Sequence, residues 1–208
     1  MKLQLALDLV NTQGAIDAIK QVGEFVDIVE IGTPVIINEG LHAVKAVKDA
    51  FPNMDILADL KVMDAGAYEV EVAAKAGASI ITILAAAEDS TIKGAVAKAK
   101  ELGKEILVDM IAIKDLAGRA KELDAMGVDY ICVHTGYDGQ AEGENPLEAL
   151  KTIKANVKNA KTAVAGGIKL STVEGVIAAG PDLVIVGGGI NGEADPVAAA
   201  KKFRELVK

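Results

Sequence analysis

Residues 54–64 read Met54-Asp55-Ile56-Leu57-Ala58-Asp59-Leu60-Lys61-Val62-Met63-Asp64, an apolar run that passes directly into two acids and a lysine. The run has the length and flanks of a short buried strand. In an extended strand, residues two apart share a face, so Asp59 and Lys61 are expected to project together while Leu60 faces away. Charges at the end of a buried strand cost free energy unless they pair, hold a metal or do chemistry. Taken alone, the string reads equally well as a solvated acid–lysine–acid turn. The pattern around it decides between the two.

Working outward, short β-rich runs recur roughly every 25 residues. They are Leu3 to Asp8, Val26 to Ile31, Met54 to Lys61, Ser79 to Leu84, Glu105 to Ile111, Asp129 to His134, Thr162 to Ala165 and Leu183 to Val186. Amphipathic, Ala- and Lys-rich stretches such as Asp89 to Leu102 and Asp115 to Met126 lie between them. Several of these stop at glycine before the next strand, as at Gly77, Gly103 and Gly127. Eight strand–helix units in 208 residues predict a single (β/α)8 barrel of the TIM type spanning 1–208. A doubly wound open sheet is the alternative, but Ala6-Leu7-Asp8-Leu9-Val10 lacks the glycine-rich turn that normally follows its first strand. The longest irregular stretch, Thr135 to Asn145, follows strand six, where a mobile loop can cover a site.

Barrels of this type place function at the C-terminal ends of their strands. Those ends carry Asp8, Glu30, Asp59 with Lys61, Asp109 and His134, then Gly166-Gly167 and Gly187-Gly188-Gly189. Convergence of polar groups on one end of the fold predicts a shared active site. Asp8 has a second reading, as the cap of a helix beginning near Asn11. His134 has one too, as a satisfied core donor. Cys132 reads as a small core residue and His42 as a helix-surface residue.

Composition narrows the chemistry. Half of the chain is apolar, 3% is aromatic and there is no Trp, so the core is built from small and branched aliphatics, as suits parallel strands under helices. A formal net charge of −8 disfavours nucleic acid or an anionic membrane as partner. One cysteine excludes an intrachain disulfide, and two histidines make a multi-histidine zinc site improbable. Met1 to Asp8 is too short and too soon acidic for a signal peptide, and no apolar run approaches membrane-spanning length, so a soluble cytoplasmic protein is expected. Strand-end carboxylates suit magnesium or manganese, with Glu30 and Asp59 as the natural ligand pair. Lys61, between acids, should stay protonated, which argues against a Schiff base. The two glycine clusters suit a phosphate held by backbone N–H groups.

The segment Asp59 to Asp64 matches the D-x-K-x-x-D motif, and on it the chain resembles the orotidine 5'-monophosphate decarboxylase suprafamily. The resemblance runs on through Leu5 to Asp8, Val29 to Pro34, Ala58 to Gly66, Val133 to Asp138 and Ala165 to Ile168. Within the suprafamily the chain looks most like the members that condense formaldehyde with D-ribulose 5-phosphate using magnesium. That resemblance implies Glu30 and Asp59 on the metal and His134 moving the C1 proton. It implies Asp8, Lys61 and Asp109 positioning hydroxyls and metal waters, and the glycine clusters on the phosphate. It further implies a homodimer in which Asp64 reaches the neighbouring subunit's site. A similar enediolate is formed by 3-keto-L-gulonate 6-phosphate decarboxylase, but that enzyme carries arginine where this chain has Tyr137. Gly188 stands where many members place a phosphate-binding arginine, which shifts recognition toward backbone N–H groups. A sugar-phosphate binding protein without activity is the alternative of another class.

Overall fold

Alternation along each strand sorts side chains into two layers, and eight such strands close into a ring. The computed structural model describes residues 1–143 and 146–208. Its strands are β1 (Lys2–Leu7), β2 (Ile28–Ile31), β3 (Asp55–Val62), β4 (Ile80–Leu84), β5 (Glu105–Asp109), β6 (Tyr130–His134), β7 (Lys161–Ala165) and β8 (Leu183–Val186). All pair in parallel and in sequence order, and β8 returns to β1 with Lys2 opposite Leu183. This is the expected (β/α)8 barrel. The open sheet falls away because closure leaves no edge strand among the described residues.

The helices described are α1 (Thr12–Val22), α2 (Thr33–Glu39), α3 (His42–Ala50), α4 (Gly66–Lys75), α5 (Asp89–Glu101), α6 (Leu116–Met126), α7 (Tyr137–Ala141), α8 (Leu147–Asn156), α9 (Val173–Ala178), α10 (Gly188–Asn191) and α11 (Pro196–Leu206). None is long and apolar enough to cross a membrane, among the described residues. Outward strand residues such as Leu5, Ile31 and Ile83 pack against helix residues such as Ile19, Val44 and Phe203. Inward residues form a second, smaller core that includes Ile28, Leu57, Ile80, Leu107, Tyr130 and Cys132. Cys132 is thus the core residue expected, and His42 is exposed at the start of α3. The helix stops hold as well, with Gly127 capping α6 in the left-handed region at φ 78°.

The barrel floor contains a repeat that strand-end reading overlooks. Asp27, Asp129 and Asp182 each stand one residue before an even-numbered strand. Each donates its N–H to a carbonyl of the preceding strand, at Leu3, Ile106 and Thr162. Its carboxylate then accepts the N–H of that same residue, at 2.7–2.8 Å. These reciprocal clamps satisfy the N–H of the second residue of β1, β5 and β7 at the N-terminal end of the barrel.

Two expectations change. β3 is not a plain extended strand: between Ala58 and Val62 its register against β4 shifts, four residues on β3 spanning two on β4. Lys61 takes φ 48°, so the two-residue period that predicted its direction does not hold there. The stretch after β6 is not irregular throughout, because residues 137–141 form α7. Glu144 and Asn145, at its far end, lie outside the described residues.

Candidate active site

Asp59 is the hub of the barrel mouth. Oδ1 accepts the Thr82 hydroxyl from β4 at 2.8 Å. The Thr33 hydroxyl, at the start of α2, lies 2.7 Å from both Asp59 Oδ2 and the Asp59 carbonyl oxygen, so its one hydrogen serves one at a time. The Lys61 ammonium donates to Oδ2 as well. The β3 bulge makes this possible. It takes the Lys61 N–H out of the regular ladder, and the Thr82 hydroxyl accepts that N–H at 2.8 Å while donating its own hydrogen to Asp59. Asp59 and Lys61 therefore meet as expected, but through a left-handed residue and a threonine.

A second pair lies across the mouth. His134 Nδ1 is 2.8 Å from Asp109 Oδ2, and Asp109 Oδ1 accepts the Ile111 N–H at 2.9 Å. Since a carboxylate only accepts, Nδ1 carries the hydrogen, and in the neutral imidazole the lone pair is on Nε2. His134 is thus a donor satisfied through Nδ1, with its side chain partly exposed at the mouth. Lys61 Nζ stands 3.7 Å from the same Asp109 oxygen, linking the two pairs.

Asp8 does not cap a helix, because Asn11 takes that role for α1 through a 2.8 Å bond from the Gly14 N–H. Instead it sits against Gly32, where a Cβ would fall 2.0 Å from Asp8 Oδ1. Glu30 is buried beside it and accepts the Gln4 amide at 2.6 Å.

The electrostatics follow from this crowding. Burial, then the charges of Asp59 and Asp8, push the Glu30 carboxyl well above its usual range, against the Gln4 hydrogen bond. Asp8 is exposed as a residue, but desolvation of its carboxyl by the surrounding mouth, then the charge of Asp59, raise it too. Burial would also raise Asp59, but the Lys61 charge and the hydrogen bonds of Lys61, Thr33 and Thr82 together lower it. Burial would lower Lys61, yet Asp59, Asp109 and Glu30 outweigh it and hold the ammonium protonated. Burial raises the Cys132 thiol strongly, which keeps it inert.

Four carboxylates thus face one ammonium. Glu30 and Asp59, on adjacent strands, fit a divalent cation, since they supply hard oxygen donors and a local surplus of negative charge. No group of three or more His, Cys, Asp and Glu forms a ready cage among the described residues. A carboxylate pair completed by water and substrate is the arrangement magnesium accepts.

The glycines divide. Gly166, at φ 100°, lies so close to Thr135 that a Cβ would fall 2.2 Å from its carbonyl oxygen. Gly189 packs likewise on the Ile168 carbonyl, at 2.4 Å. Their lack of side chains is required by packing. A Cβ on Gly188 would meet nothing within 4 Å, and one on Gly167 only Gln140 from 3.5 Å, so these two border open space. Gly187 starts the turn into α10, whose Asn191 amide holds the Ala6 carbonyl at 3.0 Å.

Asp64 stands outside the network. It is exposed in the β3–α4 turn and accepts the N–H of Ala65 at 2.7 Å. Tyr137 is 80% exposed on α7. Reading strand ends missed Thr33, Thr82, Gln4 and Gly32. Thr82 carried a usable signal, as the one polar residue in Ile80-Ile81-Thr82-Ile83-Leu84.

A closed barrel with an acid-rich mouth at the C-terminal strand ends places the chain in the class of (β/α)8 barrel proteins. The chain belongs to the Orotidine 5'-phosphate decarboxylase / HUMPS family, whose model matches residues 1–203. It is 63% identical over 207 residues to the 3-hexulose-6-phosphate synthase of Bacillus subtilis (strain 168), covering 100% of this chain and 99% of that one. Against the 3-hexulose-6-phosphate synthase of Staphylococcus aureus (strain NCTC 8325 / PS 47) it is 57% identical over 208 residues, with the same coverage. The crystal structure of 3-hexulose-6-phosphate synthase from Salmonella typhimurium superimposes with a TM-score of 0.97 at 42% identity, covering 100% of this chain and 98% of that chain. A crystal structure of KGPDC from Streptococcus mutans gives 0.91 at 28% identity, with 99% and 96% covered.

Proposed function

We propose that the chain is a cytoplasmic 3-hexulose-6-phosphate synthase that condenses formaldehyde with D-ribulose 5-phosphate to give D-arabino-hex-3-ulose 6-phosphate. The observation that carries this reading is the His134–Asp109 pair set across from the Asp59–Lys61 pair. His134 Nε2 takes a proton from C1 of the ketose, and the C1–H electron pair becomes the C1–C2 double bond of a 1,2-enediolate. Asp109 keeps the imidazole in the right tautomer and balances the charge it gains. Lys61, held protonated, faces the oxygens on which negative charge develops. C1 then attacks the carbon of formaldehyde, and the aldehyde oxygen takes up a proton to become the new hydroxymethyl group. Asp8 orients substrate hydroxyls, and the backbone N–H groups of the Gly166–Gly167 and Gly187–Gly189 turns bind the phosphate. Magnesium, or manganese in its place, when held by Glu30 and Asp59 supplies the Lewis-acid charge that makes the C1 proton acidic.

The test is consumption of ribulose 5-phosphate in the presence of formaldehyde, with and without a chelator. Undiminished turnover after thorough metal removal sinks the metal mechanism. Carbon dioxide release from 3-keto-L-gulonate 6-phosphate at a comparable rate would assign the decarboxylase activity instead.

The exposed Asp64 belongs, in this reading, to the neighbouring subunit's site in a homodimer. Mixing inactive Asp64→Ala and Lys61→Ala dimers should then restore part of the activity, because hybrid dimers contain one intact site. No recovery after subunit exchange has been verified counts against sharing.

A further inference from the structure

Gln4 is fully buried inside the barrel, level with Ile28 on β2 and Ile185 on β8, both members of the apolar inner core. Ala6, one step higher on β1, pairs with Glu30, and its small side chain leaves room for the Gln4 amide to reach up. Gln4 Nε2 donates to Glu30 Oε2 at 2.6 Å. Gln4 Oε1 is buried without a hydrogen-bond partner among the described residues. An amide in an apolar layer with one end unsatisfied is unfavourable for stability, and Leu or Met would fill the same space without that penalty. What the amide adds is the single bond to Glu30.

We propose that Gln4 is a positioning residue that commits one oxygen of Glu30 to the barrel and leaves the other for the divalent cation. The inference rests on the reading that Glu30 and Asp59 hold that cation. Ligand-orienting hydrogen bonds of this kind change metal affinity by roughly 10–100-fold when removed.

The experiment measures Mn2+ binding by electron paramagnetic resonance on the full-length protein and on Gln4→Met. The expected result is a dissociation constant raised about 10–100-fold. Gln4→Asn, which keeps an amide in the layer but is one methylene too short to reach Glu30, should lose affinity to the same extent. A purely structural role would spare Mn2+ affinity, whatever the change in the metal-free melting temperature. Tight Mn2+ binding by the wild type and by both variants alike overturns the role of Gln4 and leaves the metal reading intact. No Mn2+ binding by the wild type overturns both.

Discussion

Glu30 and Asp124 are both carboxylates at 9% exposure, and the fold treats them in opposite ways. Asp124, near the C-terminal end of α6, receives the N–H groups of Lys158, Asn159 and Ala160 and the side-chain amide of Asn159, all within 3.2 Å. Burial would raise it, but these donors hold it below the usual carboxylate range. Glu30, at the opposite end of the barrel, has the Gln4 amide and the negative charges of Asp59 and Asp8, and is raised. At the floor the polypeptide completes its own electrostatics. At the mouth it leaves negative charge for something else to complete, which is how a binding site differs physically from a structural carboxylate.

The contrast can be broken in several ways. The largest effect is expected at His134→Ala, which should lower C1 proton exchange and condensation by about 10²–10⁴-fold while metal and phosphate binding persist. Full exchange of the C1 proton, followed by NMR in deuterated water, would refute the base.

Next comes the carboxylate pair itself. Glu30→Gln removes a charge the fold does not balance, so the metal-free protein should melt about 2–4 °C higher, near 1 kcal/mol, while Mn2+ binding is lost. Asp124→Asn deprives three backbone donors of their charged acceptor and should destabilise by about 1–3 kcal/mol, with turnover per folded molecule unchanged. The pH dependence separates the two. Because Asp124 is lowered by folding, its contribution is present above the ordinary value of 3.8 and is lost as pH falls through its folded value. Because Glu30 is raised, folding is penalised above its folded value, and that penalty shrinks as pH falls below the folded value and is gone below the ordinary value of 4.5. On acidification from neutral, the stability gap between wild type and Glu30→Gln should close first. The gap to Asp124→Asn should close only below 3.8. Denaturant melts across pH check both, and gaps that closed together would undo the contrast.

The smallest effect is expected at Gly188→Ala. The added methyl meets open space, so stability should stay within about 0.5 kcal/mol, while KM for the phosphorylated ketose rises several-fold. An unchanged KM would remove Gly188 from the phosphate site.

The barrel was legible because periodicity is local. Strand runs, helix faces and glycine stops each follow from near neighbours in sequence, and Asp8, Glu30, Asp59, Asp109 and His134 stood out as polar residues closing apolar runs. What was not legible depends on partners distant in sequence. Thr33 and Thr82 matter only because Asp59 lies between them, and Gln4 only because Glu30 stands above it. The clamps of Asp27, Asp129 and Asp182 read as ordinary solvated acids until the preceding strand is beside them. The β3 bulge had no herald, since neither glycine nor asparagine marks residue 61.

That bulge has a consequence for anyone who would make this protein more robust. A non-glycine residue at φ 48° carries roughly 1–2 kcal/mol of backbone strain. Glycine at position 61 would relieve it but would delete the ammonium that balances Asp59 and Asp109, and leaving those buried carboxylates unpaired costs about 3–5 kcal/mol, more than the strain. The ion pairs thus hold the strained residue in place, and a stability screen on this barrel would retain lysine at 61 without any selection for activity.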